Sequence, residues 1–410
     1  MTMVALVIIN IIIYLIILAI LFITLKTKVK LENVTKILNI IAICLVIVTV
    51  TGGFIDYYKQ SNLLVANNAQ ETIVDLENKK NKKDLPNIIY IIFDAYANNE
   101  ILKEIYNYDN GKFIAFLENK GFYVVKNGSS NYDLTLESLA SSLNLNYLSE
   151  FGKQIGYSKD KRPLIRMIRE NKVRQFLSGY GYKFIALSSG LYGTEIDDAD
   201  VYVNPVKYDF LFENLLFSNT LMNPLFGRLT ADYQIQNHRT RISKNLDNIP
   251  ALVKSQSPFF LFAHFICPHP PFIFGKTIFY SNMGDIMLDQ TPLHKMDKTL
   301  RKKYIQAYAE QVDYLNQKII KMIDDIFAQS VTPPIIILQA DHGPRSATDL
   351  SSFRNTNWRE RFSILNAIYL PGKKSVLYEG ITPVNTFRLI LNEYFATNYQ
   401  KLPDKKIFSH

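Results

Sequence analysis

The chain has 410 residues, of which 48% are hydrophobic, 20% charged and 13% aromatic. That composition excludes a disordered or fibrous protein, and two cysteines exclude a disulfide scaffold. The formal charge of +9 comes from lysines near apolar runs and a general lysine richness; no nucleic-acid reader module accompanies it, so no nucleic-acid partner is expected.

In chain order, the first feature is an uncharged apolar run from Met3 to Leu25. At ~1.5 Å per residue it is long enough to cross a hydrocarbon core of ~30 Å. A second uncharged run spans Ile37 to Ile55. Neither run has a polar face, so both read as transmembrane helices rather than core helices. The loop between them carries Lys26, Lys28, Lys30 and Lys36. Short positive loops stay in the cytoplasm, so everything after Ile55 is expected outside it. The polar stretch from Asp56, with its lysine cluster Lys79 to Lys83, reads as a linker. The expected organisation is a transmembrane hairpin over 1–55, a linker over 56–85 and an extracytoplasmic domain over 86–410. The expected location is the inner or plasma membrane, with the chain crossing it more than once. Cys44 falls inside a span and Cys267 stands alone in the outer part, so the soluble part has no disulfide.

From Pro86 the pattern alternates. Asn87 to Phe93 is a continuous apolar run, the signature of a strand buried on both faces, and it ends at Asp94. Helices are expected over 113–119, closed by Gly121, over 135–143, and over 173–178, ended by Gly179. Strands are expected over 122–125, 183–187 and 259–265. A long amphipathic helix covers 301–327, a strand 334–340, another strand 367–370, and a last helix 383–395. Region 192–248 has no clear period and reads as an insertion of helices and loops. This order predicts an α/β fold with a mostly parallel sheet sandwiched by helices.

In such a sheet ligands gather at the carboxyl ends of the strands, which singles out polar residues that end apolar runs. Asp94 ends one, and Asp341-His342-Gly343 ends another. A carboxylate directly after an apolar strand is costly unless it is paired or metal-bound; its structural alternative is a helix N-cap. Two carboxylates and a neutral histidine suit Zn or Mn. Thr135 opens a helix, where it can cap the helix or, with the helix dipole and a metal, become a nucleophile. By chemistry alone Ser138 serves as well. His264 lies at the end of a third strand, and His269 lies beyond it between Pro268 and Pro270. His269 suits proton donation to a leaving group. His264 and Arg345 are candidates for binding substrate, the arginine as a phosphate clamp. His238, His294 and His410 show no partner pattern.

Four segments carry a resemblance: Asn87 to Asp94, the segment around Thr135, Pro258 to Phe262 with Pro268 to Pro271, and Ile335 to Gly343. In that order they resemble the sulfatase-like branch of the alkaline phosphatase superfamily. The resemblance implies an alkaline phosphatase-like fold, a single divalent metal ion (Mn, Zn or Mg), and Asp94, Thr135, Asp341 and His342 as its ligands. It implies Thr135 as nucleophile and His269 as a substrate-binding or acid group. The sequence departs from true sulfatases: no C/S-x-P-x-R nucleophile segment lies near Thr135, Asp94 is followed by Ala95, and no second metal set is complete. It is therefore most similar to membrane-anchored transferases with a threonine nucleophile, such as lipoteichoic acid synthases and phosphoethanolamine transferases. These imply a membrane lipid or lipid-linked donor and an envelope glycan or lipid acceptor. The alternatives are a hydrolase of soluble phosphate or sulfate esters, and a membrane-tethered binding protein with a decayed site.

Overall fold

The computed structural model describes residues 85–149, 160–207, 223–254, 258–279, 297–346, 348 and 353–409, side chains on the helix from 223 being described from residue 232, together with scattered positions up to residue 51. The chain divides into one unit of Met1–Val74 with Glu213–Gly227 and a second of Asp75–Phe212 with Arg228–His410. In the first unit the described positions, such as 39–44, are helical. The two apolar runs expected to span the membrane lie almost wholly outside the described residues. Among the described residues no helix is long and apolar enough to cross a membrane.

From Ile88 the described elements follow the order β1 (Ile88–Phe93), α1 (Asn99–Tyr106), α2 (Gly111–Asn119), β2 (Tyr123–Val124), α3 (Thr135–Leu143), α4 (Arg162–Arg169), α5 (Lys172–Gly179), β3 (Lys183–Leu187), β4 (Val201–Val203), α6 (Asn223–Leu252), β5 (Phe259–Phe265), α7 (Lys298–Gln329), β6 (Ile335–Gln339), α8 (Trp358–Phe362), β7 (Asn366–Tyr369) and α9 (Pro383–Phe395). The sheet runs β2-β7-β6-β1-β5-β3-β4. Strands β6, β1, β5, β3 and β4 are parallel, while β7 and β2 add an antiparallel edge. The fold is thus α/β with a mixed sheet flanked by helices.

Period-two alternation divides the core. Ile89, Ile91 and Phe93 of β1, with Phe259, Leu261 and Phe265 of β5, pack against α1, α2, α6 and α7. Ile88, Tyr90 and Ile92, with Phe260 and Phe262, pack against α3, α4, α5 and α9. Each such fully buried side chain contributes about 1.5–3 kcal/mol relative to exposure, which is why β1 and β5 carry no polar face. Helix α7 starts at an N-cap, Asp297, whose carboxylate accepts from Leu300 N (2.8 Å).

Gly121 closes α2 at φ +90°, with Phe122 N donating to Leu117 O. Gly179 is the last residue of α5, and the chain reverses two residues later at Gly181, φ +82°, where Tyr182 N donates to Leu177 O. The aperiodic region holds β4 and most of α6. The buried stripe of α6 is Ile235, His238, Arg241, Ile242, Asn245, Leu246 and Ile249, and its three polar members blur the hydrophobic period.

Candidate active site and metal centre

The carboxyl ends of β1 and β6, neighbours at the middle of the sheet, bring Asp94 and Asp341-His342 together across almost 250 residues of chain. Both carboxylates and the imidazole are buried. His342 Nε2 lies 3.6 Å from Asp94 Oδ1 and 3.5 Å from Asp341 Oδ2. One ligand atom from each of Asp94, Asp341 and His342 falls within 4.8 Å of the others.

Helix α3 brings Thr135 to the same point. Its N-cap is Leu134, which offers no capping side chain, and Thr135 is the first helical residue. The Thr135 hydroxyl is therefore not spent on capping; Oγ1 lies 3.1 Å from His342 Nε2. Ser138 is differently placed: its hydroxyl is buried and donates to the Asp341 carbonyl (2.5 Å). His342 Nδ1 donates to Gly343 O (3.1 Å). A carbonyl only accepts, so the neutral ring carries its hydrogen on Nδ1 and turns the Nε2 lone pair toward Asp94, Asp341 and Thr135.

The donor set fits a divalent cation. Two buried carboxylates around one imidazole repel each other unless a positive charge sits between them. Asp341 Oδ2 is buried with no hydrogen-bond partner among the described residues, and so is His264 Nε2. Asp341 Oδ1 accepts from Ala95 N (3.3 Å). Burial raises the Asp341 carboxyl pKa, but His342, His264, the Thr135 hydroxyl and the Ala95 amide together outweigh it and hold it below the ordinary carboxylate value.

His264, on β5, sits behind Asp94. Its side chain is fully enclosed, with Nε2 3.6 Å from Asp94 Oδ2 and Nδ1 2.8 Å from Thr194 Oγ1. Burial is the main cause that holds its pKa down to about 4. His269 follows on the loop beyond β5, buried, with its backbone N donating to Asp94 O (3.0 Å). Its Nδ1 donates to Pro270 O (2.6 Å), so a neutral ring carries its lone pair on Nε2. Arg345 lies three residues past His342, also buried.

Some supports of the site are not visible in the sequence pattern. Gln311, at a core position of α7, accepts from Ile273 N (2.9 Å), and its Nε2 lies 3.3 and 3.2 Å from the carbonyls of Pro268 and His269. It fixes the His269 loop. A glutamine on the mostly apolar buried stripe of α7, which it shares with Asn316, was the available signal. His238, which shows no partner pattern in the sequence, is buried on α6; burial, then the charges of Arg241 and His269, lower its pKa to about 3.

A family model for sulfatases matches residues 86–389. No curated protein matches the chain in sequence. Among solved structures the chain is similar to a putative sulfatase from Bacteroides thetaiotaomicron, with a TM-score of 0.50 and 13% identity over 79% of this chain and 73% of that one. It is also similar to the C-terminal periplasmic domain of EcEptC from Escherichia coli in complex with Zn (TM-score 0.48, 10% identity, 77% and 84% covered). A third is the integral membrane protein lipooligosaccharide phosphoethanolamine transferase A (EptA) from Neisseria meningitidis (0.47, 14%, 84% and 61%). At these identities the likeness concerns the fold.

Proposed function

The chain belongs to the sulfatase family, an enzyme class that spans sulfatases and related transferases, and from that premise we propose that it is a membrane-anchored, metal-dependent phosphoryl transferase with Thr135 as its nucleophile. The observation that carries this reading is the Thr135 hydroxyl, free of any capping duty, 3.1 Å from His342 Nε2 within the Asp94–Asp341–His342 cluster. In this chain a threonine, and no cysteine or serine in a C/S-x-P-x-R segment, occupies the place where a nucleophile is needed.

Asp94, Asp341, His342 Nε2 and Thr135 Oγ1 would hold one divalent cation, Mn, Zn or Mg. When bound, the ion supplies Lewis-acid charge that lowers the hydroxyl pKa and offsets charge on the phosphoryl oxygens. Thr135 Oγ1, its proton released to water, attacks as the alkoxide at the phosphorus of a phosphodiester donor. The bond from phosphorus to the leaving alkoxide breaks, and His269 Nε2 gives that oxygen its proton. The first-turn N–H groups of α3 face the phosphoryl oxygens. An acceptor hydroxyl then loses its proton to His269 Nε2, attacks the phosphorus and releases Thr135. Water as acceptor would make the same site a hydrolase. His264 orients Asp94, and Arg345 holds a phosphoryl oxygen.

The two apolar N-terminal runs would tether the 86–410 domain, through the 56–85 linker, to the outer face of the cell membrane. A lipid headgroup donor fits that tether, with an envelope glycan or lipid as acceptor. The test is turnover of a chromogenic phosphodiester and a chromogenic sulfate ester by the full chain in detergent, with Mn, Zn or Mg added. Metal-dependent diester cleavage that persists in part in Thr135→Ser and vanishes in folded Thr135→Ala supports the proposal. Cleavage of the sulfate ester alone, or Thr135→Ala as active as the wild type, overturns it.

A further inference from the structure

Arg361, on α8, is one of the largest fully buried side chains, at 1% exposure. A guanidinium taken out of water is costly unless its hydrogen bonds compensate, so the place where it donates is informative. Its Nη1 donates to Gly343 O (2.9 Å), and Gly343 N donates back to Arg361 O (2.7 Å). The same Gly343 carbonyl receives His342 Nδ1. Residue 343 is pressed onto α8: a Cβ there would lie 2.0 Å from Glu360 O and 2.7 Å from Ser363 O. A second tie follows, since Glu360 Oε1 accepts from Ser346 N (2.8 Å) and from the Tyr106 hydroxyl (2.6 Å). Helix α8 therefore grips the turn after β6 at two points, and one of them is the acceptor that decides which His342 nitrogen carries hydrogen.

We propose that Arg361 is a positioning residue for the metal centre: by holding the Gly343 carbonyl it fixes His342 in the Nδ1–H tautomer and aims Nε2 at the cation position beside Asp94 and Asp341. The proposal rests on the metal reading above. Partners of this kind orient ligands without touching the metal, and their loss typically weakens metal binding by about 10–100-fold.

The experiment measures Zn²⁺ affinity of the full chain in detergent by competition with a chromophoric chelator, with the visible spectrum of the Co²⁺ form as a second readout. The variants are Arg361→Met, Arg361→Lys, His342→Ala and, as a control, Arg388→Met. Arg388 is also buried but serves α9, donating to Leu145 O (2.7 Å) and Gln400 O (2.7 Å). Arg361→Met should lose about 10–100-fold in affinity and change the Co²⁺ spectrum, with Arg361→Lys between it and the wild type. Arg388→Met should lose thermal stability and keep both metal readouts. If His342→Ala binds Zn²⁺ like the wild type, the metal reading itself fails. If His342→Ala loses the metal while folded Arg361→Met keeps it, only the positioning role fails. Should Arg361→Met not fold, Arg361→Lys carries the test: a folded Arg361→Lys weaker than the wild type in Zn²⁺ affinity and altered in its Co²⁺ spectrum supports the proposal, and one that matches the wild type in both overturns it.

Discussion

Gln311→Leu is the perturbation whose size follows most directly from the geometry. The side chain is fully buried, accepts from Ile273 N, and reaches the carbonyls of Pro268 and His269. Leucine fills a similar volume but leaves these groups without that partner. Stranding the buried Ile273 N–H costs about 1–3 kcal/mol and losing the carbonyl contacts adds about 1 kcal/mol, a total of about 2–4 kcal/mol. At ~3 °C per kcal/mol for a unit of this size, melting should fall by about 9 °C. Because the lost contacts all belong to the loop from 268 to 273, local opening should grow more than global unfolding. Hydrogen exchange across that loop should speed up by roughly 30- to 800-fold, while amides of β1 and β6 lose protection by no more than the global loss that the melting shift reports. Turnover should fall with it, since His269 rides on the loop. A folded Gln311→Leu with unaltered melting and unaltered exchange from 268 to 273 would refute the view that this glutamine holds the site together.

Three further outcomes follow from the same contacts. In Gly343→Ala, the new Cβ meets Glu360 O at 2.0 Å, so the Asp341-His342 turn must move; calorimetry should show a loss of about 3 kcal/mol, at the upper end for overpacking, and metal binding should weaken. His269→Gln should slow formation of the Thr135 adduct by about 10²–10⁴-fold for a diester with an alkyl leaving group and by far less for a nitrophenyl diester, whose leaving group needs no proton; equal losses of that first step on both would contradict the acid role. Stripping the metal with a chelator should abolish turnover and lower stability, by ~2.7 kcal/mol relative to enzyme at a hundredfold excess of metal over its Kd; melting curves that coincide with and without chelator would argue against a structural fit of the ion.

What the sequence made legible depends on how many faces an element buries. β1, β5 and β6 are covered on both sides, so residues 88–93, 259–263 and 335–338 read as unbroken apolar runs, and the polar residues at their ends stand out. β4 is an edge strand of three exposed or half-buried residues, Val201–Val203, with too little apolar signal to mark it. α6 buries His238, Arg241 and Asn245 along with its apolar residues, so no hydropathy period survives. α1 and α4 are eight residues each, short enough for their stripes to pass unnoticed among charged neighbours. Thr135 and Ser138 are equivalent by residue chemistry. Only the fold ties the serine hydroxyl to the Asp341 carbonyl and leaves the threonine hydroxyl beside His342. Gln311 and Arg361 act through backbone carbonyls of distant loops, and a pattern of residue types carries no record of such partners.

The most direct measurement is to mix the full chain with a phosphodiester donor and metal in the absence of acceptor, quench in acid, and map the added mass by peptide sequencing in the mass spectrometer. The account predicts a phosphoryl-containing adduct on the peptide from α3, assigned to Thr135, formed only with metal and absent in Thr135→Ala. Turnover of the donor with the adduct on Ser138 or another side chain, or an adduct that persists in Thr135→Ala, would contradict it.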